Sequence, residues 1–223
     1  MNMGIGDSVD LGWKLAARLQ GWGGPRLLAS YEFERRQVHA RTVAEAVANF
    51  GTVSNQLVRP GLEDDNLLGA ATRAEIGELV LATKQREFKT LGLVLGARYA
   101  DSPIAVPDGT EPPPEHTTLY VPSAHPGCRA PHIWLADGSS LYDHFGPGFT
   151  LLATEESTRG SEPFLAAAAH HGIPLTVICP KDPRLKARYE ARYALIRPDH
   201  HVAWRGNDAP TDVDALWRRL TGY

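Results

Sequence analysis

Apolar residues recur at helical spacing near the start of the chain. Leu11, Leu15 and Leu19 follow one another every fourth residue, which predicts an amphipathic helix. Gly21 can close this helix in the left-handed conformation that suits a helix C-terminus. The residues whose side-chain oxygens could cap its N-terminus are Asp7, Ser8 and Asp10.

Two further helices are predicted before residue 100. The segment 27–50 begins just after Pro25 and contains few helix breakers, and the segment 73–95 carries an apolar stripe. Between these segments, an Arg-Pro-Gly run followed by three acidic residues predicts a loop. The first hundred residues are therefore expected to be mainly helical.

Short apolar runs separated by turn residues predict strands in the second half of the chain. The expected strands are 133–135, 149–152, 175–179, 193–197 and 202–205, the last two forming a hairpin. The expected helices are 163–170, closed by Gly172, and 212–220, capped by Thr211 or Asp212 and ending at Gly222. This order of elements is that of a thioredoxin-like domain, here without the C-x-x-C pair that redox activity requires.

These patterns together predict an α/β protein with two domains. A helical domain covers residues 1–100, a proline-rich and exposed linker covers 101–117, and a thioredoxin-like domain covers 118–223. We expect the connector to be stiff because several prolines fall between residues 103 and 114.

Composition narrows the possible functions. The 223 residues carry a formal net charge of −3 with acidic and basic residues interleaved, so no basic patch for nucleic acid is expected. No apolar run is long enough for a membrane span and no secretion signal is visible, so we expect a cytoplasmic protein. Cys128 and Cys179 are too far apart in sequence to suggest a disulfide framework.

The nine histidines do not form a metal-binding motif. The adjacent pairs at 170–171 and 200–201 point in different directions on a regular element, and no H-x-x-x-H helix is present. We expect Arg129, His132 and Trp134 to pack and form hydrogen bonds, and Asp143 and His144 to take part in a local cap or turn. No metal site and no catalytic residue are predicted.

Five sequence blocks, taken in order, carry a resemblance to a known family. The blocks are M-N-M-G-I-G-D-S-V-D-L-G-W-K-L-A at 1–16, L-L-A-S-Y-E-F-E-R-R at 27–36, H-P-G-C-R-A-P-H-I-W-L at 125–135, S-L-Y-D-H-F-G-P-G-F-T-L-L at 140–152 and L-I-R-P-D-H-H-V-A-W-R at 195–205. In this respect the chain resembles the FAD-dependent monooxygenases that hydroxylate phenols, hydroxyphenylpropionates and aromatic polyketides. The first block matches the end of that family's flavin-contacting run, and the later blocks match its C-terminal domain.

The resemblance implies a fold, cofactors and a site. The helical segment would be the end of a FAD-binding domain, and the substrate would be a small aromatic molecule hydroxylated with NAD(P)H and O2. The residues implied in cofactor binding are Met1, Asn2 and Met3, whose main-chain amides would face the flavin's pyrimidine edge; a frayed chain end is the alternative. A homodimer is also compatible with the family.

One part of the family pattern is missing from this sequence. The G-x-G-x-x-G turn between a strand and a helix, which holds the pyrophosphate, occurs nowhere in the chain. We therefore expect the chain to correspond to the C-terminal half of a flavoprotein, to retain no FAD by itself and to be inactive alone. Whether it is a short natural protein or one piece of a longer one stays open at this point.

Two other functions remain to be weighed against the flavoenzyme. The chain could be a noncatalytic thioredoxin-like module that dimerises or binds a partner. Alternatively, the Gly6-Asp7-Ser8 run resembles the G-D-S block of a serine esterase family, with Ser8 as nucleophile. The esterase is disfavoured because no apolar strand precedes Gly6 to hold the serine on a sharp turn. In addition, Asp199 directly adjoins His200, whereas the acid and the histidine of that family are separated by two residues.

Overall fold

The structure is a computed structural model that describes residues 2–53, 58–155 and 157–223. Its α-helices are α1 (Asn2–Gln20), α2 (Leu27–Val53), α3 (Leu67–Phe88), α4 (Leu91–Val94), α5 (Glu162–His170), α6 (Arg184–Tyr189) and α7 (Val213–Thr221). Its strands are β1 (Phe149–Ala153), β2 (Leu175–Ile178), β3 (Tyr193–Ile196) and β4 (Val202–Gly206). A 3-10 helix spans Leu141–His144.

The four strands form one sheet in the order β2-β1-β3-β4. Strands β1 and β2 are parallel, whereas β1 with β3 and β3 with β4 are antiparallel. Helix α5 connects the two parallel strands, β3 and β4 form the predicted hairpin, and α7 follows it. The predicted mixed α/β fold with a thioredoxin-like arrangement is thereby confirmed.

The chain divides into two compact units. The first comprises the chain up to Gln37 together with Ala97–Pro114 and Val121–Tyr223, and the second comprises Val38–Gly96 and Glu115–Tyr120. Helix α1, the first part of α2 and the whole sheet thus share one unit. The domain boundaries drawn from the sequence at residues 100 and 117 stay a prediction.

Aromatic rings join α1 to the sheet inside the first unit. Trp13 and Trp22 are buried, and the ring of each meets Phe149 of β1 edge-on, at 6.0 and 6.2 Å between centroids. Phe149 also meets Trp217 of α7 edge-on at 5.2 Å. Edge-to-face aromatic packing adds to the free energy gained by burying these large apolar surfaces. The core therefore continues from the thioredoxin-like layer onto α1.

Within the second unit, helices α3 and α4 occupy the region predicted to be one helix. Helix α3 begins at Leu67, earlier than expected, because Asn66 accepts a hydrogen bond from the Gly69 amide and acts as its N-cap. It ends at Phe88, before the short helix α4. The single helix predicted over 73–95 is therefore wrong in both its start and its continuity.

The predicted start of the first helix is wrong, although its end is correct. Helix α1 begins at Asn2, and Gly21 closes it with a φ of 88°. Ser8 lies inside the helix and donates a hydrogen bond to the Gly4 carbonyl four residues earlier, so it caps nothing. The apolar spacing located the helix, but capping chemistry at Ser8 was mistaken for its boundary.

Two expectations for the middle of the chain also need correction. Segment 133–135 is not a strand: Trp134 forms one isolated bridge with Ser140. The proline-rich segment is not exposed throughout, since Ile104 and Ala105 are buried and the Val106 amide bonds to the Ala203 carbonyl. The stiffness of this segment stays a prediction, because proline content restricts the backbone but does not report on burial.

Candidate functional site

The residues predicted to bind a cofactor lie at the start of α1. Met1 lies outside the described residues, while Asn2 and Met3 form the first turn of the helix. The first amides of a helix have no partner within it and carry the positive end of its dipole. A side chain built at Gly4 would have no atom within 4 Å, so the surface beside it is open. This turn therefore presents its first amides beside an open surface, and their contact with a flavin stays a prediction.

One side chain of α2 holds this first turn in place. The Arg35 Nε atom lies 2.8 Å from Asp7 Oδ1, and its Nη2 atom lies 3.4 Å from the Met3 carbonyl oxygen. A Cβ atom at Gly6 would lie 2.8 Å from Arg35 Nη2. Although burial opposes it, the pKa of Arg35 is raised by hydrogen bonds to Asp7 and Tyr99. The guanidinium is thus a fixed cation against the first two turns of α1.

A group of ionised side chains is buried between α1, α2 and the β3–β4 hairpin. We call it the buried charge cluster; its members are Asp10, Lys14, Glu34, Arg197 and Asp199. The side chains of its members are at most 2% exposed. Buried charges persist only when they are paired and hydrogen-bonded, and here every member contacts another.

Arg197 is the centre of the buried charge cluster. Its Nη1 atom lies 2.5 Å from Glu34 Oε1, and its Nη2 atom lies 3.0 Å from both Glu34 Oε2 and Asp10 Oδ1. Its Nε atom donates to Asp199 Oδ1 at 3.1 Å, and Nη2 also donates to Asp199. One planar guanidinium therefore joins α1, α2 and the hairpin, which a lysine ammonium could not do with the same geometry.

Two aromatic rings cover the faces of the Arg197 guanidinium. Its central carbon lies 5.3 Å from the Trp13 ring and 5.1 Å from the Tyr99 ring. The Trp13 indole nitrogen also donates to Asp199 Oδ2 at 3.1 Å. Cation–π contact is strongest where water is excluded, as it is here. These rings and carboxylates leave the guanidinium a single orientation.

Lys14 completes the pairing on the side of α1. Its Nζ atom lies 2.8 Å from Asp10 Oδ2 and 2.6 Å from Glu34 Oε2. Glu34 also accepts a hydrogen bond from the Ser102 hydroxyl. The buried charge cluster thus holds three carboxyl groups and two cations, an excess of one acid.

The three acids of the buried charge cluster have shifted pKa values in different directions. Burial raises the pKa of Asp10 to about 7, although Arg197 and Lys14 act to lower it. Burial would also raise the pKa values of Glu34 and Asp199, but the charge and hydrogen bonds of Arg197, together with Lys14 for Glu34 and His201 for Asp199, outweigh it and lower both. Asp10 is therefore the member that takes up a proton near neutral pH.

The histidines take local roles in the described residues. His132 Nε2 lies 2.9 Å from the Ser140 hydroxyl, and its ring meets those of Trp134 and Tyr142 edge-on. Asp143 accepts from the Ser140 amide in a capping box, as the predicted local cap requires. In residues 2–53, 58–155 and 157–223, no group of three or more His, Cys, Asp or Glu is placed to hold a metal ion.

A separate cavity of about 360 Å³ lies elsewhere in the first unit. Its lining includes Arg98, Asp101, His125 and Arg219. Neither Asn2 nor Met3 lines it. The cavity is therefore distinct from the first turn of α1.

The sequence suggested Asp10 as a helix cap and did not predict the buried charge cluster. Its members lie within the blocks at 1–16, 27–36 and 195–205 that carry the family resemblance. One signal was available: Asp10 and Lys14 carry opposite charges four residues apart, a spacing that predicts an ion pair on one helix face but does not report its burial. Only the fold shows that these charges meet.

Two family models match this chain. Residues 1–46 match the model described as FAD binding domain, and residues 123–223 match the model described as aromatic-ring hydroxylase, C-terminal. The two matches contain every member of the buried charge cluster. The chain matches part of the FAD-dependent aromatic-ring hydroxylases.

Individual relatives agree with the family models. The FAD-dependent monooxygenase opdD of Penicillium oxalicum is 36% identical over 96% of this chain and 43% of its own length. Aklavinone 12-hydroxylase RdmE of Streptomyces purpurascens is 31% identical over 95% of this chain and 37% of its own length. The chain therefore spans about two fifths of the length of these curated relatives.

A solved structure also matches the chain along its length. The rebeccamycin biosynthetic enzyme RebC with reduced flavin has a TM-score of 0.89 and 41% identity, covering 99% of this chain and 41% of RebC. Among the described residues, no helix has the length and apolarity needed to cross a bilayer. The cytoplasmic location stays a prediction.

Proposed function

We propose that this chain forms part of a flavin-dependent monooxygenase that hydroxylates an aromatic substrate, phenolic or polyketide, with NAD(P)H and O2. The observation that carries the proposal is the first turn of α1, where the Asn2 and Met3 amides begin the helix inside the region that matches a FAD-binding model. Relatives named for aklavinone and phenol suggest the substrate class.

The contribution of this chain would be to orient the cofactor. Bound FAD would supply the redox chemistry between NAD(P)H and O2. The amides of Asn2 and Met3, with Met1 as the third candidate, would donate hydrogen bonds to the pyrimidine edge of the flavin. Helix α1 would place its positive end there, which favours negative charge on that edge.

An apolar stripe on α1 supports membership of a larger enzyme. Ile5, Val9 and Leu19 lie on one face of the helix and are 65%, 53% and 87% exposed. Exposed apolar stripes of this kind are typical of surfaces that pack against another element. In relatives, more than half of the protein lies outside the region that this chain matches. That remaining part would cover the stripe and hold the FAD pyrophosphate.

A noncatalytic module that dimerises through α1 is the second candidate. The same stripe would then bury itself against a second copy of the chain. Sedimentation of the purified chain separates the candidates, since a dimer that Val9→Lys converts to monomer would favour the module. A monomer would favour the flavoenzyme.

The direct test supplies the part of RebC that has no counterpart in this chain. We would join this chain to the portion of RebC that lies outside the match and purify the hybrid protein. We expect a yellow protein with a flavin absorbance band that oxidises NAD(P)H faster when an aromatic polyketide is added. A folded but colourless hybrid would contradict the proposal. The chain alone is expected to be colourless, because it lacks the pyrophosphate-binding turn.

A further inference from the structure

We propose that Arg35 is a positioning residue for the flavin-facing turn of α1, and that the buried charge cluster fixes Arg35 in turn. The inference rests on the proposed function and extends it to specific side chains. Neither the family matches nor the resemblance assigns a role to Arg35.

Arg35 directly contacts the flavin-facing turn. Arg35 donates to the Met3 carbonyl and to the Asp7 carboxylate, which are one helical turn apart. A helix end frays unless it is held by other contacts, because its terminal hydrogen bonds are incomplete. Arg35 supplies two contacts at that end.

Gly6 has no side chain on the surface of α1 that faces Arg35. The nearest neighbour of a Cβ atom at Gly6 would be Arg35 Nη2, at 2.8 Å. Gly4 and Gly12, on the same helix, have no neighbour within 4 Å at the corresponding position. A side chain at residue 6 would therefore have to displace the end of the Arg35 guanidinium.

Glu34 connects Arg35 to the hairpin of the thioredoxin-like domain. Arg35 directly follows Glu34 on α2, and Glu34 is held by two nitrogens of Arg197 and by Lys14. A shift of Glu34 along or around α2 would move Arg35 with it, because the helix is rigid over adjacent residues. The hairpin thereby fixes the start of α1, about 12 Å along the helix axis from Asp10.

The sequence offers a matched control beside Arg35. Arg36 is its chain neighbour on α2, but its side chain is 81% exposed and its nearest acid, Glu32, is 3.8 Å away. Replacing Arg36 removes the same charge from the same helix without touching α1. The pair Arg35→Gln and Arg36→Gln therefore isolates the contact to the first turn.

The experiment is hydrogen exchange of the backbone amides in this chain. The amides of residues 6–9 are the first that bond within α1, so they report fraying of its start. We expect R35Q to accelerate their exchange about tenfold, the size of one charge-assisted hydrogen bond. R36Q is expected to leave them unchanged, and R35K to restore part of the protection, because one ammonium cannot reach both Asp7 and Met3.

Two results would overturn the inference. Equal exchange of residues 6–9 in R35Q and R36Q would remove the positioning role. Acceleration of β1 and β3 amides by the same factor would show a general loss of stability instead. Arg197→Lys tests the link to the hairpin: it should accelerate residues 6–9 more than β1, and protection equal to that of the unmodified chain would disprove the link.

The hydrogen-exchange experiment and the test of the proposed function can fail independently. Exchange is measured without flavin, whereas the RebC hybrid reports flavin binding. In the hybrid, R35Q should weaken FAD retention and R36Q should not. A colourless hybrid with local acceleration in R35Q would contradict the proposed function and still support the positioning of the first turn.

Discussion

Arg197 and Glu34 lie 163 positions apart in the chain, yet two guanidinium nitrogens of Arg197 are 2.5 and 3.0 Å from the two carboxylate oxygens of Glu34. This two-bond pairing is buried, and it joins α2 to the β3–β4 hairpin. Pairing of two parallel N–H groups with a carboxylate fixes orientation as well as charge. This pairing brings the sequence blocks 27–36 and 195–205 together in the buried charge cluster.

Removing the guanidinium should strongly destabilise the first unit. Arg197→Met would leave Asp199 buried without its arginine and Glu34 with Lys14 alone; breaking a buried ion pair in this way typically costs about 3–5 kcal/mol. Urea unfolding followed by tryptophan fluorescence measures the change. Arg36→Met is the control, because Arg36 is 81% exposed and its partner Glu32 is 80% exposed. An equal effect of both substitutions would contradict a special role for the buried pair.

Stability should depend on pH through Asp10. Its pKa rises from 3.8 in an unfolded chain to about 7 in the fold, so between these values the folded protein binds more protons. The free energy of unfolding should therefore fall as pH rises from about 4 to 7, by at most about 1.4 kcal/mol per pH unit, and this contribution should be constant above that range. Glu34 and Asp199 have lowered pKa values, so their opposite effect belongs to lower pH.

Asp10→Asn provides the comparison for this pH dependence. The variant cannot ionise, so above pH 7, where the folded chain carries an ionised Asp10 that burial disfavours, it should be more stable relative to the unmodified chain than it is at pH 4. It should also lose the decrease between pH 4 and 7. Unfolding curves for both proteins at several pH values test this, and an unchanged pH slope in the variant would assign the titration to another group.

Alanine at two glycines of α1 should have different effects on stability. Gly12→Ala adds a methyl group in open space within a helix and should stabilise by about 0.5–1 kcal/mol. Gly6→Ala should gain about 1 kcal/mol less, because the new Cβ displaces the Arg35 guanidinium. Thermal unfolding of the two variants decides the matter. Equal stabilisation would mean that Arg35 moves aside without loss.

Asp212 should be the residue that caps α7. Its Oδ1 atom accepts from the Ala215 amide at 2.7 Å, so Asp212→Ala should cost about 1 kcal/mol. Thr211, which the sequence offered as an alternative cap, serves as the control, and Thr211→Ala should change stability by less than about 0.5 kcal/mol. Chemical unfolding distinguishes the two, and the reverse order would make Thr211 the cap.

Ser8 should have no catalytic role. Its hydroxyl donates to the Gly4 carbonyl within α1, whereas a nucleophilic serine needs a hydrogen-bonded base. Hydrolysis of nitrophenyl acetate by the chain should therefore be the same before and after Ser8→Ala. Loss of hydrolysis in the variant would revive the esterase hypothesis.

Apolar spacing located most of the regular elements. The spacing of Leu11 and Leu19 found α1, and the β3–β4 hairpin lies where alternating apolar residues placed it. Boundaries were less predictable: Ser8 suggested a cap although α1 begins at Asn2. Local hydrogen-bonding capacity is the same in a cap and inside a helix, so the residue type alone cannot separate them.

By itself, the sequence determined the α/β class, the thioredoxin-like order of elements and the family, because these depend on periodicity and on short motifs that are read locally. Only the tertiary structure decided which charges are buried together and that Arg35 reaches the Met3 carbonyl. Contacts between residues such as Asp10 and Arg197, 187 positions apart, depend on how elements pack. No local pattern encodes that packing, since a charged residue on a helix looks the same in a sequence whether it faces water or a partner.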